Sequence, residues 1–198
     1  MLSTIYQVLI NRYAAERKAL AIINRQTETE LQFLRAQINP HFLFNTLNNL
    51  YVLAWKKSDQ TADAIMMLSK IMRFLLYDCR VPRIPVSEEA RVIRDYIELE
   101  KLRYNDRLQV RYEENIVAPG GSIAPLLLLP FVENSFKHGA GSTTGVADIL
   151  VHLHLENNLL DFEVRNTVEG NGRAPNPDGI GLKNVKRQLD LIYPGRYE

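Results

Sequence analysis

The spacing of apolar and polar residues predicts that the chain begins with long helical segments. From about Arg12 to Lys57 there is no glycine and Pro40 is the only proline, so the stretch is predicted to be one helix or two helices joined near Asn39. A seam of positions spaced alternately by three and four residues consists of Leu31, Leu34, Ile38, His41, Asn45, Asn48 and Val52. Further apolar residues lie outside this seam, which is typical of a helix buried in a bundle.

A second helix is predicted from Thr61 to about Asp78, where apolar residues recur at intervals of three and four. The Lys-Ser-Asp sequence at 57–59 favours a turn, so the two helices are expected to form an antiparallel hairpin. One hairpin cannot bury apolar residues on several faces, whereas two hairpins packed as a four-helix bundle can. We therefore predict a homodimer.

The remainder of the chain mixes helices and strands. A third helix is predicted to begin with Ser87 as its N-cap and to end near Tyr104. The later elements are predicted as a strand at 107–116, a largely apolar helix at 125–138, a β-hairpin at 149–166 that turns at Asn157 and Asn158, and a helix at 181–193. This order indicates an α+β sandwich, with helices on one face of a mainly antiparallel sheet.

Composition and charge limit the possible functions. The 24 Lys and Arg residues nearly balance the 23 Asp and Glu residues, so the net charge of +1 predicts no nucleic-acid partner. The single cysteine, Cys79, excludes an internal disulfide framework and fits a cytoplasmic compartment. No apolar stretch reaches the ~18 residues that a membrane span needs. The pair His152 and His154 is interpreted as part of a solvated strand face rather than as a metal site.

The first candidate for chemistry is His41, within the sequence Gln-Ile-Asn-Pro-His-Phe-Leu-Phe-Asn at 37–45. Asn45 follows it by one helical turn, and an amide at that spacing can hydrogen-bond one ring nitrogen and fix which nitrogen keeps a lone pair. A histidine that acts as a nucleophile requires a lone pair on a defined ring nitrogen. The alternative is a buried structural histidine whose ring is satisfied by Asn45.

The second candidate is the segment 130–139, with the sequence Pro-Phe-Val-Glu-Asn-Ser-Phe-Lys-His-Gly. On a helix, Asn134 and His138 share a face and Lys137 lies on its flank, so an oxygen ligand for a cation and two phosphate contacts converge. The alternative is an ordinary helix C-terminus, with basic residues near the negative end of the helix dipole and Gly139 as the stop.

The third candidate is the segment 178–185, Asp-Gly-Ile-Gly-Leu-Lys-Asn-Val, in which glycines open the last predicted helix. Glycine lets the backbone approach a phosphate, and the helix N-terminus offers unpaired N–H groups to it. A Gly-x-Gly pattern alone is also typical of ordinary turns. Its position after the Asn134 helix and a hairpin favours a nucleotide-binding loop.

In this order the three segments resemble those of the LytS-like sensor histidine kinases, whose catalytic half has the Bergerat ATPase fold shared with gyrase. The resemblance runs from about Leu31 to Tyr193 and is most specific at 37–45; 128–139 looks like the family's N box and 178–185 like its glycine box. It implies a signalling helix or linker at 1–29, a dimerisation and histidine phosphotransfer hairpin at 30–82, and an ATP-binding domain at 83–198. It also leads us to expect a further β-hairpin after Glu198.

The resemblance implies ATP and Mg²⁺ as cofactors, His41 with its neighbour Asn45 as the phosphoryl acceptor, and Asn134 as the magnesium ligand. The nucleotide-binding residues that it implies are Glu133, Asn134, Lys137, His138, Asn166, Asp178, Gly179, Ile180, Gly181 and Leu182. The chain departs from the pattern at two positions. Asn166 stands where related kinases usually carry an adenine-binding aspartate, and Phe42 where many others carry an acidic residue that is a candidate general base.

The resemblance further implies a two-component sensor kinase, in which autophosphorylation on His41 is followed by transfer to an aspartate of a response-regulator receiver domain. The chain would then be a cytoplasmic fragment of a protein anchored in the bacterial inner membrane through a sensor part outside this sequence. Two alternatives share the fold. One is an ATPase that does not phosphorylate itself, and the other is a dimeric adaptor that only binds nucleotide.

Overall fold

A computed structural model describes residues 40–104, 107–117, 121–140, 146–167 and 180–198, together with Tyr13 and Arg17. At positions 40, 41, 80, 138, 140, 180 and 181 it describes the backbone without the side chain. The described residues form five helices and two small sheets, with a helical hairpin followed by an α/β part. The prediction of an α+β fold is confirmed.

Helix α1 (Pro40–Trp55) and helix α2 (Thr61–Leu76) form the predicted hairpin. The chain turns between them at 56–60, where Lys57 adopts a left-handed backbone with φ of 53°. Their buried side chains include Phe42, Leu50, Leu68 and Phe74. Both helices also pack against the next helix, so the hairpin is joined to the rest of the molecule by apolar contacts.

That next helix, α3 (Val86–Tyr104), is preceded by a single 3₁₀ turn (Asp78–Arg80) and by the two-residue strand β1 (Ile84–Pro85). The prediction that Ser87 caps this helix is wrong, because Val86 is already helical. The N–H of Val86 donates to the carbonyl of Gly121 at 2.9 Å, so a neighbouring backbone segment satisfies this first donor.

The main sheet has the order β2-β4-β5, formed by β2 (Leu108–Ile116), β4 (Ala147–Glu156) and β5 (Leu159–Asn166). Strand β3 (Ser122–Ile123) pairs separately with β1 in an antiparallel ribbon. The sheet is mixed rather than mainly antiparallel, because β2 and β4 run parallel while β4 and β5 form an antiparallel hairpin. The chain between β2 and β4 contains a helix, which is the long crossover that a parallel pair requires.

The β4–β5 hairpin turns where it was predicted. Asn157 and Asn158 both have positive φ values, 51° and 62°, which is the backbone of a two-residue turn that matches strand twist. Along β4, Ile149, Val151 and Leu153 are buried while the residues between them are more exposed. The helices therefore cover one face of this sheet.

The crossover helix is α4 (Leu129–Ser135), which continues into a π-helical turn (Phe136–Ala140). It is shorter than the predicted helix at 125–138, because Leu126 has a φ of 60° and interrupts any helix before it. Phe131 of α4 packs edge-on against Phe162 of β5, with 6.0 Å between ring centroids. The last helix, α5 (Ile180–Ile192), lies close to its predicted bounds and contacts α4.

Candidate functional site

The second candidate segment lies at the C-terminal end of α4, which packs against both β5 and α5. Glu133 and Asn134 are half-buried in the helix, and Lys137 is exposed in the turn that follows. His138 also lies in that turn, where its backbone alone is described. The predicted spacing assumed an α-helix through His138, but the turn from Phe136 onward is π-helical. Such turns occur frequently at functional sites.

The carboxyl group of Glu133 is perturbed by its surroundings. Burial raises its pKa to about 7, and the nearby negative charge of Glu100 acts in the same direction. Glu100 lies on α3, is itself buried, and pairs with Arg103 at 3.3 Å between Nη1 and Oε2. Burial raises the pKa of Glu100 as well, against the effect of Arg103. Two carboxyl groups with raised pKa values thus lie near each other, and Glu133 directly precedes the predicted cation ligand Asn134.

Asn166 is the last residue of β5 and is brought next to the π-helical turn. A Cβ atom on Gly139 would lie 3.2 Å from the Cβ of Asn166 and 3.3 Å from its Nδ2, which is tighter than ordinary contact. The close approach of the turn to the strand end therefore favours glycine at position 139. The second candidate segment and the predicted adenine-binding position share one end of the molecule.

The glycine box is described from Ile180 onward. Asp178 and Gly179 lie outside the described residues, Ile180 and Gly181 begin the described part of α5, and Leu182 is half-buried in its first turn.

The other end of α5 is tied to the segment that leads into α4. Gln188 Nε2 donates to the carbonyl of Pro125 at 3.3 Å, and the N–H of Ala124 donates to the hydroxyl of Tyr193 at 2.8 Å. The residues that begin α4 and the helix that carries the glycine box are therefore held together.

His41 lies at the beginning of the described part of α1, and its side chain is outside what the structure describes. Its predicted hydrogen bond with the half-buried Asn45 stays a prediction. The next residue, Phe42, is buried with its ring centroid 4.8 Å from that of Tyr96 on α3, and Tyr96 lies 5.7 Å from Phe136 in the π-helical turn. A chain of three rings thus connects the helical hairpin to the turn that follows α4.

Sequence reasoning missed three residues of α3 that surround this site. Glu89 is fully buried and accepts backbone hydrogen bonds at the start of α4, Tyr96 bridges the two aromatic neighbours, and Glu100 lies near Glu133. A signal existed in the sequence, because these positions fall within the apolar stripe of the helix. Its other buried members include Ala90, Ile93 and Ile97. Ionisable residues within such a stripe are unusual unless they have partners.

An open depression of about 690 Å³, a size within the range of small-molecule sites, lies at one end of the sheet. Among the described residues it is lined by Asn166 and by outward-facing residues such as Arg111, Asp148 and Arg165, but by none from α4. It is therefore distinct from the space between α4, β5 and α5. The rings of His152 and His154, with 6.4 Å between their centroids, stack on the face of this sheet that the helices leave uncovered.

The chain is similar to known proteins of one family. Residues 29–108 match the family model described as histidine kinase. Sensor protein LytS of Enterococcus faecalis is 30% identical over 178 residues, which cover 84% of this chain and 30% of that protein. In Escherichia coli, sensor histidine kinase BtsS is 28% identical over 92% of the chain and 31% of its own length. Sensor histidine kinase YpdA of the same organism is 32% identical over 84% of this chain and 31% of its own length.

The chain thus spans only 30% or 31% of the length of these curated relatives. Within the described ranges, no helix combines the length and apolar character that crossing a bilayer requires.

Proposed function

Because this chain belongs to the histidine kinase family, we propose that it is the catalytic part of a two-component sensor kinase that phosphorylates itself on His41 with ATP. The observation that carries this proposal is the packing around α4. That helix carries Glu133 and Asn134, and it packs against β5, which ends at Asn166, and against the helix of the glycine box. A nucleotide bound there has its adenine near Asn166 and its phosphates near Lys137, His138 and the start of α5.

The residues at this place suit Mg²⁺. The amide oxygen of Asn134 is a hard oxygen donor of the kind that the ion prefers. Within the described ranges there is no cluster of three or more His, Cys, Asp or Glu side chains able to hold a metal by themselves. This fits an ion that is bound through one or two protein oxygens and otherwise through nucleotide phosphates and water. When bound, it would neutralise phosphate charge.

The reaction requires little covalent help from the protein. One ring nitrogen of His41 forms a bond to the γ-phosphorus, the bond from that phosphorus to the bridging oxygen breaks, and ADP leaves with the electron pair. The phosphoryl group then passes to a carboxylate of a receiver domain. The chain's own task is to orient the ring, through Asn45, and to hold the phosphates, through Lys137 and the N–H groups that begin α5.

A homodimer is part of this proposal. Several large apolar side chains of α1 are well exposed in the single chain: Phe44 at 65%, Tyr51 at 71% and Trp55 at 75%. Apolar patches of this kind on a helical hairpin are explained by a second hairpin packed against them. The intact protein is proposed to be anchored in the bacterial inner membrane by a sensor part outside this sequence.

Incubation with Mg²⁺ and γ-labelled ATP, followed by acid and alkali treatment, tests the proposal. Phosphohistidine is acid-labile and alkali-stable, so we expect label that survives alkali and disappears in acid. Release of labelled phosphate without labelled protein would instead indicate an ATPase of the same fold. ATP binding with neither turnover nor label would indicate a nucleotide-binding adaptor.

A further inference from the structure

Helix α4 begins without a capping residue of its own. The residues before and at its start are Leu126, Leu127, Leu128, Leu129 and Pro130, and none of these side chains can accept a hydrogen bond. The N-cap position, Leu128, makes no side-chain cap. Leu128 and Leu129 are each only 4% exposed, so water cannot readily satisfy their N–H groups. Buried donors at a helix start need acceptors from elsewhere in the fold.

The missing acceptor comes from α3. Oε1 of Glu89 accepts the N–H of Leu128 at 2.7 Å and that of Leu129 at 3.3 Å. The side chain is fully buried, and it lies 39 residues before Leu128 in the chain. A carboxylate at this place also faces the positive end of the helix dipole. Glu89 thus performs for α4 what an N-cap side chain normally performs within its own helix.

Two features indicate that this arrangement serves more than stability. The other oxygen of Glu89, Oε2, is buried and has no hydrogen-bond partner among the described residues. Leu126, just before α4, has a φ of 60°, a conformation that residues with a Cβ rarely adopt. An unsatisfied buried carboxyl oxygen and a strained backbone both oppose folding, and such features concentrate where geometry matters for function.

We propose that Glu89 is a positioning residue of the nucleotide site, which caps α4 from α3 and thereby fixes where Glu133 and Asn134 stand. It does not touch the nucleotide itself. The inference rests on the proposed function of α4, but the capping can be measured without any nucleotide.

The test compares three variants. Glu89→Gln keeps an acceptor oxygen at the same reach, Glu89→Met keeps the length without an acceptor, and Ile97→Ala removes a buried side chain on the same helix, away from the start of α4. Two quantities are measured for each. One is amide hydrogen exchange at Leu128 and Leu129 without nucleotide, relative to the β4 amides, and the other is the affinity for Mg-ATP.

We expect the Met variant to lose protection selectively at these two amides and to bind Mg-ATP more weakly by on the order of tenfold, because its cation ligand is displaced. The Gln variant should retain the protection and most of the affinity. Ile97→Ala should lower overall stability and leave the affinity near that of the parent. If Met fails to fold, Glu89→Asp, which draws the carboxyl back by one methylene, should change both measurements in the same direction.

Parent-like affinity in a folded Met variant would overturn the proposal, and so would an equal loss of affinity in Ile97→Ala, since Glu89 would then matter only for stability. Unchanged exchange at Leu128 and Leu129 in Glu89→Met would refute the capping role. A parent chain that does not bind Mg-ATP would overturn the proposed function, and with it the link to the nucleotide, while the exchange measurement still decides whether Glu89 caps α4.

Discussion

The helical hairpin and the α/β part bury their apolar residues to different extents. In the hairpin, Tyr51 and Trp55 remain more than 70% exposed, at 71% and 75%. In the α/β part, the inward residues of β4, Ile149, Val151 and Leu153, are at most 2% exposed. The single chain thus completes the core around the sheet and leaves the hairpin with uncovered apolar surface. Exposed apolar surface on the hairpin is suited to packing against a second chain, whereas the well-packed core around the sheet is suited to holding a small ligand.

Helix α3 connects the two regions. It packs against α1 and α2 on the hairpin side and against β2 and α4 on the other side. Its buried residues include both apolar side chains and the carboxyl groups of Glu89 and Glu100. A movement of the hairpin therefore has a direct mechanical route to α4. Each of the following experiments separates the two regions or tests their connection.

The experiment with the largest expected effect separates the hairpin from the α/β part completely. Replacing His41 with Gln should reduce phosphoryl labelling to background, while the affinity for ATP changes by less than about twofold, because the proposed acceptor is in the hairpin and the proposed nucleotide site is in the α/β part. Labelling with γ-labelled ATP and a binding titration measure the two effects. Retained labelling in this variant would contradict the assignment of His41. A lowered thermal unfolding temperature with little change in labelling would instead support a structural histidine.

The second experiment perturbs the α/β part alone. Asn134→Ala should weaken magnesium-dependent ATP binding by roughly tenfold to a hundredfold and reduce labelling with it, because the proposed oxygen ligand of the ion is lost. Asn115→Ala, on the exposed outer face of β2, is the matched control and should behave like the parent. A normal dependence of ATP binding on Mg²⁺ concentration in Asn134→Ala would exclude the ligand role.

The sequence predicted local features of both regions well. The helix bounds of the hairpin and the turn at Asn157 and Asn158 depend on periodicity and on turn residues, which are properties of short segments. The parallel pairing of β2 with β4 joins residues about 40 positions apart, such as Leu108 and Ala147, and no short-range pattern encodes it. The order of the candidate segments still carried the family resemblance, because order does not depend on pairing.

The candidate site was predicted by type of residue and less by geometry. The turn that follows the Asn134 helix lies against Asn166 at the end of β5, but its π-helical form was not foreseen. Sequence reasoning did not single out Glu89 as a partner of another helix, whereas it is buried against the start of α4. Its role depends on a tertiary contact between distant segments, which local propensity does not encode.

The third experiment tests the connection between the regions. Tyr96 is 4% exposed, between the rings of Phe42 and Phe136, so Tyr96→Ala should lower the free energy of unfolding by roughly 3–5 kcal/mol. Tyr96→Phe keeps both ring contacts and should cost far less. Urea denaturation followed by circular dichroism measures both. Equal losses in the two variants would show that the hydroxyl group, and not the ring, forms the connection.

The fourth effect is a pH dependence of stability within the connecting helix. Burial raises the pKa of Glu89 from 4.5 to about 7 in the folded chain, while the unfolded chain keeps the ordinary value. Between these pH values the folded state holds the proton that the unfolded state has released. The free energy of unfolding should therefore fall as pH rises from about 4.5 to about 7, by on the order of 3 kcal/mol, and level off above that range.

Other buried carboxyl groups, Glu100 and Glu133, have raised pKa values and act in the same direction. The informative quantity is therefore the difference between the parent and Glu89→Gln, which cannot titrate. Urea denaturation of both proteins across this pH range should show a shallower decline for Glu89→Gln. Parallel curves would mean that Glu89 ionises normally in the folded chain.

The smallest effect concerns Asn166, where the α/β part departs from the family pattern that the resemblance implies. The Nδ2 of Asn166 lies 3.4 Å from the carbonyl oxygen of Thr167, an arrangement that directs the amide oxygen elsewhere as an acceptor. An amide oxygen can accept a hydrogen bond from the adenine amino group, but without the charge that strengthens such a bond for a carboxylate. A neutral buried hydrogen bond contributes on the order of 1 kcal/mol, so Asn166→Ala should weaken ATP binding about fivefold.

Because adenine lies far from the transferred phosphate, this loss should appear in the apparent affinity and not in the labelling rate at saturating ATP. Discrimination against GTP should weaken as well, since its ring offers a carbonyl where adenine has its amino group. Asn166→Asp restores the charge and should bind ATP more tightly than the parent. If Asn166→Ala binds ATP as tightly as the parent and still rejects GTP, adenine is recognised elsewhere, and the end of β5 does not belong to the nucleotide site.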